Sequence, residues 1–320
     1  MRAVWLKEFG GPEVLVEGDA PDPVPGPGQV VVDVAHANIT FVETQYRRGL
    51  PGPFKARPPV IPGNGVGGTV SEVGEGADPA LVGTRVVSGL RGEGGYAQKA
   101  LVDAATLIPV PGGLALDDAV ALLADGRTAM MMLEAAAPEP GETVLIEAAA
   151  GGVGTLLVQL SKAAGLTVVA AAGGERKTAL AIELGADVAV DYTLPDWTAR
   201  VRDAVGRVDI VMDAVGGDIG RAAFDLLGEG GRTVPFGLAS GEWAGIDPEA
   251  AAARGATIVQ PAFPPERLRG FAVRALEEAA AGRLRPVIGQ RFPLGRAADA
   301  HHAIETRATV GKTLLDVAPA

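Results

Sequence analysis

The stretch "EAAAGGVGTLLVQLSKAAG", Glu147 to Gly165, sets Gly151, Gly152 and Gly154 at the mouth of a segment whose alanines and leucines favour helix. Upstream, "TVLIEA" (Thr143–Ala148) is apolar enough for a central parallel strand. Downstream, Val153, Leu156, Leu157, Leu160 and Ala164 recur at i, i+3, i+4, i+7 and i+11, one buried helical stripe that Gly165 stops. At the turn between them, Ala149 and Gly151 are expected to let the backbone reverse. Gly152 removes bulk from the approach, and Gly154 lets the helix press on the strand. Free N–H groups at that helix start favour an anion, and a pyrophosphate is the natural occupant. The motif is Ala149-x-Gly151-x-x-Gly154, with alanine in place of the usual first glycine.

The rest of the chain supports this reading. From Glu142 onward, strand-like runs at Thr143–Ala148, Thr167–Ala171, Val188–Val190, Val208–Val215, Arg232–Gly237 and Ala256–Gln260 alternate with helical patterns such as Lys177–Leu184 and Trp197–Val205. That alternation predicts repeated β–α units in a parallel sheet. Before it, about the first third of the chain reads as short strands broken by Gly and Pro: Gly28–Ile39, Gly67–Gly74, Gly83–Gly89 and Gly94–Val102. Near Pro111–Ala137 the texture changes: Asp117 or Asp118 can cap a helix, and a long Ala/Leu/Met pattern follows, with Met130–Met132 as core filler. The tail returns to a helix, Ala297–Thr306, and a strand, Gly311–Val317. The expected architecture is α/β: a Rossmann doubly wound parallel sheet domain (123–261) inserted into a mostly β barrel domain (1–122, rejoined by 262–320).

Composition narrows the partners. The 320 residues carry a formal net charge of −11, which disfavours nucleic acid and anionic lipid as partners. With no cysteine, disulfides and thiolate-bound metals are excluded, and the only histidines are His36, His301 and His302. The adjacent pair points well apart on a helix, so no metal site is expected. His36 reads as structural, and the other two as surface or packing residues. Lacking a signal-peptide run or a long apolar span, the chain is expected in the cytoplasm.

The second strand of the β–α region ends in Ala171–Ala172, without the acid that holds an NAD ribose, and Arg176 and Lys177 follow. Two cations there favour a 2′-phosphate and hence NADPH, against which Glu175 is the one opposing charge.

At this point "GETVLIEAAAGGVGTLLVQLSK" (Gly141–Lys162) resembles the signature of the quinone oxidoreductases, the zeta-crystallin-like, zinc-free branch of the medium-chain dehydrogenase/reductase superfamily. "IPGNGVGGTVSEVGEG", "GGYAQKALV", "DIVMDAVGG", "GGRTVPFGLASG" and "FPLGRAADAHHAIETRATVGKTLL" extend the resemblance over nearly the whole chain. It implies a GroES-like first domain, NADPH binding, hydride transfer to a quinone or related conjugated carbonyl, and a homodimer. It further implies cofactor contacts at Thr128, Ala150, Gly151, Gly152, Val153, Gly154, Gly174, Arg176, Lys177, Tyr192, Val215, Phe236, Gly237, Leu238 and Lys312, with Arg307 nearby. Zinc-containing relatives have Gly-His-Glu where this chain has Gly63-Asn64-Gly65. In "ITFVETQYRRGLPG" (Ile39–Gly52), Thr40 stands at the family's asparagine position, Glu43 at its acid and Gln45 at its tyrosine, with Tyr46 next and Pro51 at a second tyrosine position.

The catalytic candidates are Thr40, Gln45 and Tyr46. Thr40 reads either as an oxyanion donor or as a helix cap. Tyr46 reads as a proton donor for enone reduction or as a packing residue. Glu43 is expected to pair with Arg47, four residues on. Beside reduction of quinones or other α,β-unsaturated carbonyls stand two alternatives: a reductase of enoyl thioesters or specialised-metabolite enones, and an NADPH-binding sensor or structural protein without turnover.

Overall fold

The computed structural model describes residues Met1–Val317. The chain forms two compact units, one from Met1–Ala124 with residues 272–317, the other Asp125–Phe271. In chain order the elements are β1 (Arg2–Leu6), β2 (Leu15–Asp19), β3 (Gln29–Ile39), α1 (Phe41–Arg47), β4 (Gly65–Val73), β5 (Arg85–Gly89), β6 (Lys99–Asp103), β7 (Ile108–Pro109) and α2 (Leu116–Ala136). Next come β8 (Thr143–Glu147), α3 (Gly152–Ala163), β9 (Thr167–Ala172), α4 (Glu175–Glu183), β10 (Val188–Asp191), α5 (Trp197–Val205), β11 (Val208–Asp213), α6 (Gly217–Phe224) and β12 (Leu227–Pro235). The chain closes with α7 (Pro248–Ala253), β13 (Thr257–Ile258), α8 (Pro265–Ala280), β14 (Ile288–Pro293), α9 (Ala297–Glu305) and β15 (Lys312–Asp316).

The first unit is mostly β, as expected. Its main sheet runs β14-β15-β3-β4-β5-β7, with β6 also on β3, and β1 and β2 form a separate antiparallel pair. Strand β3 anchors it, because Val30, Val32 and Val34 alternate inward into a core shared with Val66, Val70, Val86 and Val102. The strand expected at Gly94–Val102 starts only at Lys99. Before it, Ala97 makes only an isolated bridge, to Ala3 of the separate β1–β2 pair.

The second unit is a six-stranded parallel sheet in the order β10-β9-β8-β11-β12-β13. The chain moves outward from β8 through β9 to β10, then returns to β11 on the other side of β8. The strand order therefore reverses between β8 and β11, the place where open α/β sheets bind ligands beyond their carboxyl ends. Leu145, Val169 and Val211 are fully buried in its core, each stabilising the sheet by about 1.5–3 kcal/mol. Arg232 fixes the start of this unit. Its guanidinium is bidentate to Glu142 at 2.7 and 2.8 Å and also donates to the Ala136 and Ala137 carbonyls, which ties the end of α2 to β12. Among the described residues no helix is long and apolar enough to cross a membrane.

Candidate functional site

The nucleotide cradle lies in the second unit, at the turn from β8 to α3. Gly151 is the helix N-cap, with φ −82° and ψ 175°. The left-handed residue is Ala148, at φ 45°. This corrects the expectation that Gly151 makes the reversal: its backbone is extended and open to any residue. Gly154 has the steric role assigned to it. A Cβ there would lie 2.3 Å from the Ala148 carbonyl oxygen and 2.8 Å from the Ala149 Cα, so only glycine lets α3 come this close to the strand end. Ala149 and Ala150 are buried beneath the turn.

At the end of β9 the backbone turns through Gly173 and Gly174, the latter at φ 85° as the N-cap of α4. Arg176 is exposed, while Lys177 is half-buried and engaged within the protein. The Tyr192 ring lies against Gly173, where an added Cβ would be 3.4 Å from Tyr192 Cε2. Lys177 and Tyr192 thus flank one strand end that carries no acid of its own. The neighbouring acid, Asp191 of β10, is occupied. Its Oδ1 accepts from the Thr193 N–H at 2.9 Å and from the Thr193 hydroxyl at 2.6 Å, and these bonds hold its carboxyl below the usual range. The sequence reading passed over Asp191.

Beyond β11 and β12 the chain is laced together. Phe236 N–H donates to the Asp213 carbonyl at 2.9 Å, and Ser240 N–H and Oγ both donate to the Val215 carbonyl. Val215 is buried, while Phe236, Gly237 and Leu238 are half-exposed. Thr128 of α2 is half-buried in the same unit and is engaged. Ala150 to Gly154, Gly174, Arg176, Lys177, Tyr192, Val215 and Phe236 to Leu238 all belong to loops following the parallel strands or to the starts of the helices after them.

The catalytic candidates sit in the first unit, on α1. Thr40 is the helix N-cap, and Glu43 reaches back to it: Thr40 N–H and Oγ1–H both donate to Glu43 Oε2, at 2.6 and 2.8 Å. Glu43 Oε1 accepts from Asn64 N–H at 3.1 Å. Glu43 does not pair with Arg47, contrary to expectation. Arg47, 1 % exposed, pairs instead with Glu305 of α9. Burial pushes the Glu43 carboxyl up, against the Thr40 donors and the Lys312 ammonium, which pull it down. Lys312 is itself 3 % exposed in β15. The structure thus gives this expected cofactor cation an electrostatic partner in its own unit. Tyr46 is packed edge-on between Phe9 and Phe54, and its hydroxyl donates to the Ala56 carbonyl at 2.9 Å. The packing alternative for Tyr46 is the one observed. Gln45 is half-exposed, and its side-chain amide has no hydrogen-bond partner among the described residues.

Behind α1 lies a buried chain that sequence reading missed. Tyr96, fully buried, bonds both Glu43 and His301 Nε2, the latter at 2.9 Å. His301 is 1 % exposed; burial, with Arg47 beside it, lowers its pKa to about 3. His36 of β3 pairs with Asp316 of the neighbouring β15 at 2.8 Å. No group of three or more His, Asp or Glu that could hold a metal ion occurs among the described residues.

A glycine-built cradle at the reversal point of a Rossmann sheet, joined in one chain to a GroES-type β unit, defines the medium-chain dehydrogenase/reductase class. Family models agree: "Alcohol dehydrogenase GroES-like domain" matches residues 26–112 and "Zinc-binding dehydrogenase" residues 152–278. The chain is 36 % identical to a probable quinone oxidoreductase of Schizosaccharomyces pombe, covering 98 % of this chain and 96 % of that one. It is 33 % identical to a 2-haloacrylate reductase of a Burkholderia species, covering 98 % of each. Its fold matches the crystal structure of Escherichia coli quinone oxidoreductase complexed with NADPH with a TM-score of 0.90, at 28 % identity, over 99 % of this chain and all of that one. The chain belongs to the quinone oxidoreductase family, and is an oxidoreductase.

Proposed function

We propose that this chain is an NADPH-dependent reductase that passes hydride to a quinone or other α,β-unsaturated carbonyl without a metal. The observation that carries the reading is the turn at Ala148–Gly154, where a Cβ on Gly154 would close the cradle. The N–H groups at the start of α3 suit a pyrophosphate, and the acid-free end of β9, between Lys177 and Tyr192, suits a 2′-phosphate. The fit to the dinucleotide therefore rests on the shape and charge of this chain. When bound, the nicotinamide supplies the hydride.

The protein's part is to orient the carbonyl and stabilise the charge that develops on its oxygen. Of the three candidates on α1, Thr40 has committed its proton to Glu43 and Tyr46 has committed its own to Ala56. The free donor is the Gln45 amide, which we assign to the acceptor carbonyl. A quinone suits such a site, because its reduced anion is a weak base that water can protonate. The 2-haloacrylate reductase among the relatives favours conjugated acceptors beyond quinones. A homodimer in the cytoplasm completes the proposal.

The test is NADPH oxidation with a panel of quinones, 2-alkenals and enoyl thioesters, with NADH in parallel. Quinone or alkenal turnover with NADPH preferred is the expected result. Turnover of thioesters alone transfers the assignment to that class. Tight NADPH binding without turnover of any acceptor makes the chain a sensor and overturns the reading.

A further inference from the structure

Two acids meet where the strand order reverses. Glu147 ends β8 and Asp213 ends β11, each one residue past the paired Ile146 and Met212. Their side chains therefore leave the sheet on the same face. They are 0 % and 2 % exposed. Glu147 Oε2 accepts from Val215 N–H at 2.9 Å. Asp213 Oδ1 accepts from Gly216 N–H at 2.7 Å and from Val215 N–H at 3.2 Å. The two carboxyls thus hold the backbone that leads into α6 from both sides.

Glu147 Oε1 is buried and makes no hydrogen bond, although the Ala214 N–H acts on the carboxyl and, with that of Val215, pulls its pKa down against burial. The Asp213 carboxyl lies beside that of Glu147, since both accept from the same Val215 N–H. No cation is paired with either carboxyl among the described residues. The charged groups on the surrounding elements are engaged elsewhere: Lys162 of α3 with Asp187, Arg232 of β12 with Glu142, and Arg221 of α6 with Asp218 and Glu242. Two adjacent buried carboxylates repel each other, and each pays the full cost of desolvation. One proton on Glu147 Oε1 removes the repulsion and turns the orphaned acceptor into a donor toward Asp213. Burial and the Asp213 charge both push the Glu147 pKa upward.

We infer that Glu147 and Asp213 share a single proton, and that this acid pair positions the Val215–Gly217 turn against the dinucleotide. Glu147 is then a positioning residue for cofactor binding. The turn has little freedom to find its shape alone. Gly216 stands at φ 70°, where a Cβ would be 2.1 Å from the Glu242 carbonyl oxygen, and Gly217 follows at φ 54°. What keeps Val215 in place is the pair of carboxyls below it and the Ser240 bonds above it. The inference rests on the proposed dinucleotide site for its functional half. The shared proton rests on the burial of the two carboxyls and on their common Val215 N–H donor, independently of any ligand.

The experiment uses the full chain and two substitutions. Glu147→Gln keeps an acceptor for Val215 N–H and puts an N–H donor where the shared proton sits. Glu147→Leu removes both. On nucleotide-free protein at neutral pH, the infrared difference between wild type and Glu147→Gln is expected to contain the carbonyl stretch of a protonated carboxylic acid. Fluorescence titration with NADPH is expected to give a Kd for Glu147→Gln within about threefold of wild type, and at least about tenfold weaker binding for Glu147→Leu. Absence of the carboxylic acid band overturns the shared proton. A Glu147→Gln variant as weak as Glu147→Leu overturns the positioning role, because a neutral isostere would then fail to stand in. If wild type binds no NADPH, the dinucleotide reading falls with the positioning role, while the band still decides the proton.

Discussion

Replacing Gly154 by alanine adds one methyl group at the tightest point of the cradle. The added Cβ would sit 2.3 Å from the Ala148 carbonyl oxygen, against 3.4 Å for the shortest ordinary contact, so α3 must retreat from β8 by about 1 Å. The obstruction is backbone against backbone, which no rotamer change relieves. Overpacking of this kind costs ~1–3 kcal/mol, and Ala returns about 1 kcal/mol as the better helix former. A net loss of about 1 kcal/mol, at the middle of that range, lowers the melting temperature of a unit this size by roughly 2–4 °C. The retreat also carries the N–H groups of the first helical turn away from the phosphates. Losing one charge-assisted hydrogen bond, ~1.5–3 kcal/mol, raises the NADPH Kd about 10- to 100-fold. Calorimetric melting and fluorescence titration read the two effects. Gly151→Ala is the control, since Gly151 has a φ of −82° and its nearest obstruction is 3.2 Å away; it is expected to cost under about 1 kcal/mol. If Gly154→Ala melts and binds like wild type, or Gly151→Ala is as damaging, the close approach of helix and strand is not what shapes the site.

Three further outcomes follow from particular contacts. Lys177→Ala is expected to raise the KM for NADPH by about 10- to 100-fold while leaving that for NADH within twofold or so; equal effects on both nucleotides remove the phosphate assignment. Gln45→Leu is expected to lower kcat/KM for the best quinone by roughly tenfold or more, and Tyr46→Phe to leave it within about twofold, because only Gln45 has a donor to spare; the reverse ranking in steady-state assays defeats that choice. His301 has its pKa lowered from 6.5 to about 3 by burial. The unfolded chain therefore takes up its proton first, and stability held above pH 6.5 is lost as pH falls toward 3, by up to about 1.4 kcal/mol per pH unit. His301→Leu is expected to flatten that acid limb in melting curves taken across the window, and an unchanged slope would assign the acid loss to other groups.

Much of the second unit is legible in its residues, because its strands are short apolar runs; the stripe expected on α3 is buried only at Leu156 and Leu157, since the close approach at Gly154 turns Thr155, Val158 and Ser161 inward in place of Val153, Leu160 and Ala164. β12 was recognised only from Arg232, since Gly228, Gly230 and Gly231 hide a strand that already begins at Leu227. The cradle was legible as glycines, but their division of labour was not: the left-handed conformation falls on Ala148, a residue with no outward sign of it. The first unit's polar interior was the least readable. The i to i+4 spacing suggested Glu43 with Arg47, while the fold gives Arg47 to Glu305, 258 residues away, and Tyr96 to His301, 205 residues away. Such pairs are products of tertiary packing, and local spacing carries no trace of them. Glu147 lies inside the strand expected at Thr143–Ala148 with nothing local to mark it; its partner becomes adjacent when β11 returns beside β8.

The two buried carboxyl sites divide the protein's proton economy in a consistent way. In the first unit, the four donors on Glu43 come from Thr40, Asn64 and Tyr96, and they use up the hydroxyl that the family's asparagine position offers here. Tyr46, the other residue with an acidic hydrogen, spends it on Ala56. Neither arrangement leaves a side chain poised to deliver a proton, and His301 is too deeply buried, with its pKa too low, to serve as an acid at neutral pH. A reaction that needs a protein acid at carbon is poorly matched to α1 as it stands. A reaction whose product anion is stabilised by resonance and takes its proton from water is well matched, since one amide donor at the oxygen is sufficient. That is the physical reason for placing quinones ahead of simple enones as acceptors: the hydrogen-bond inventory around Thr40 permits polarisation, and it has already spent the protons that general acid catalysis requires.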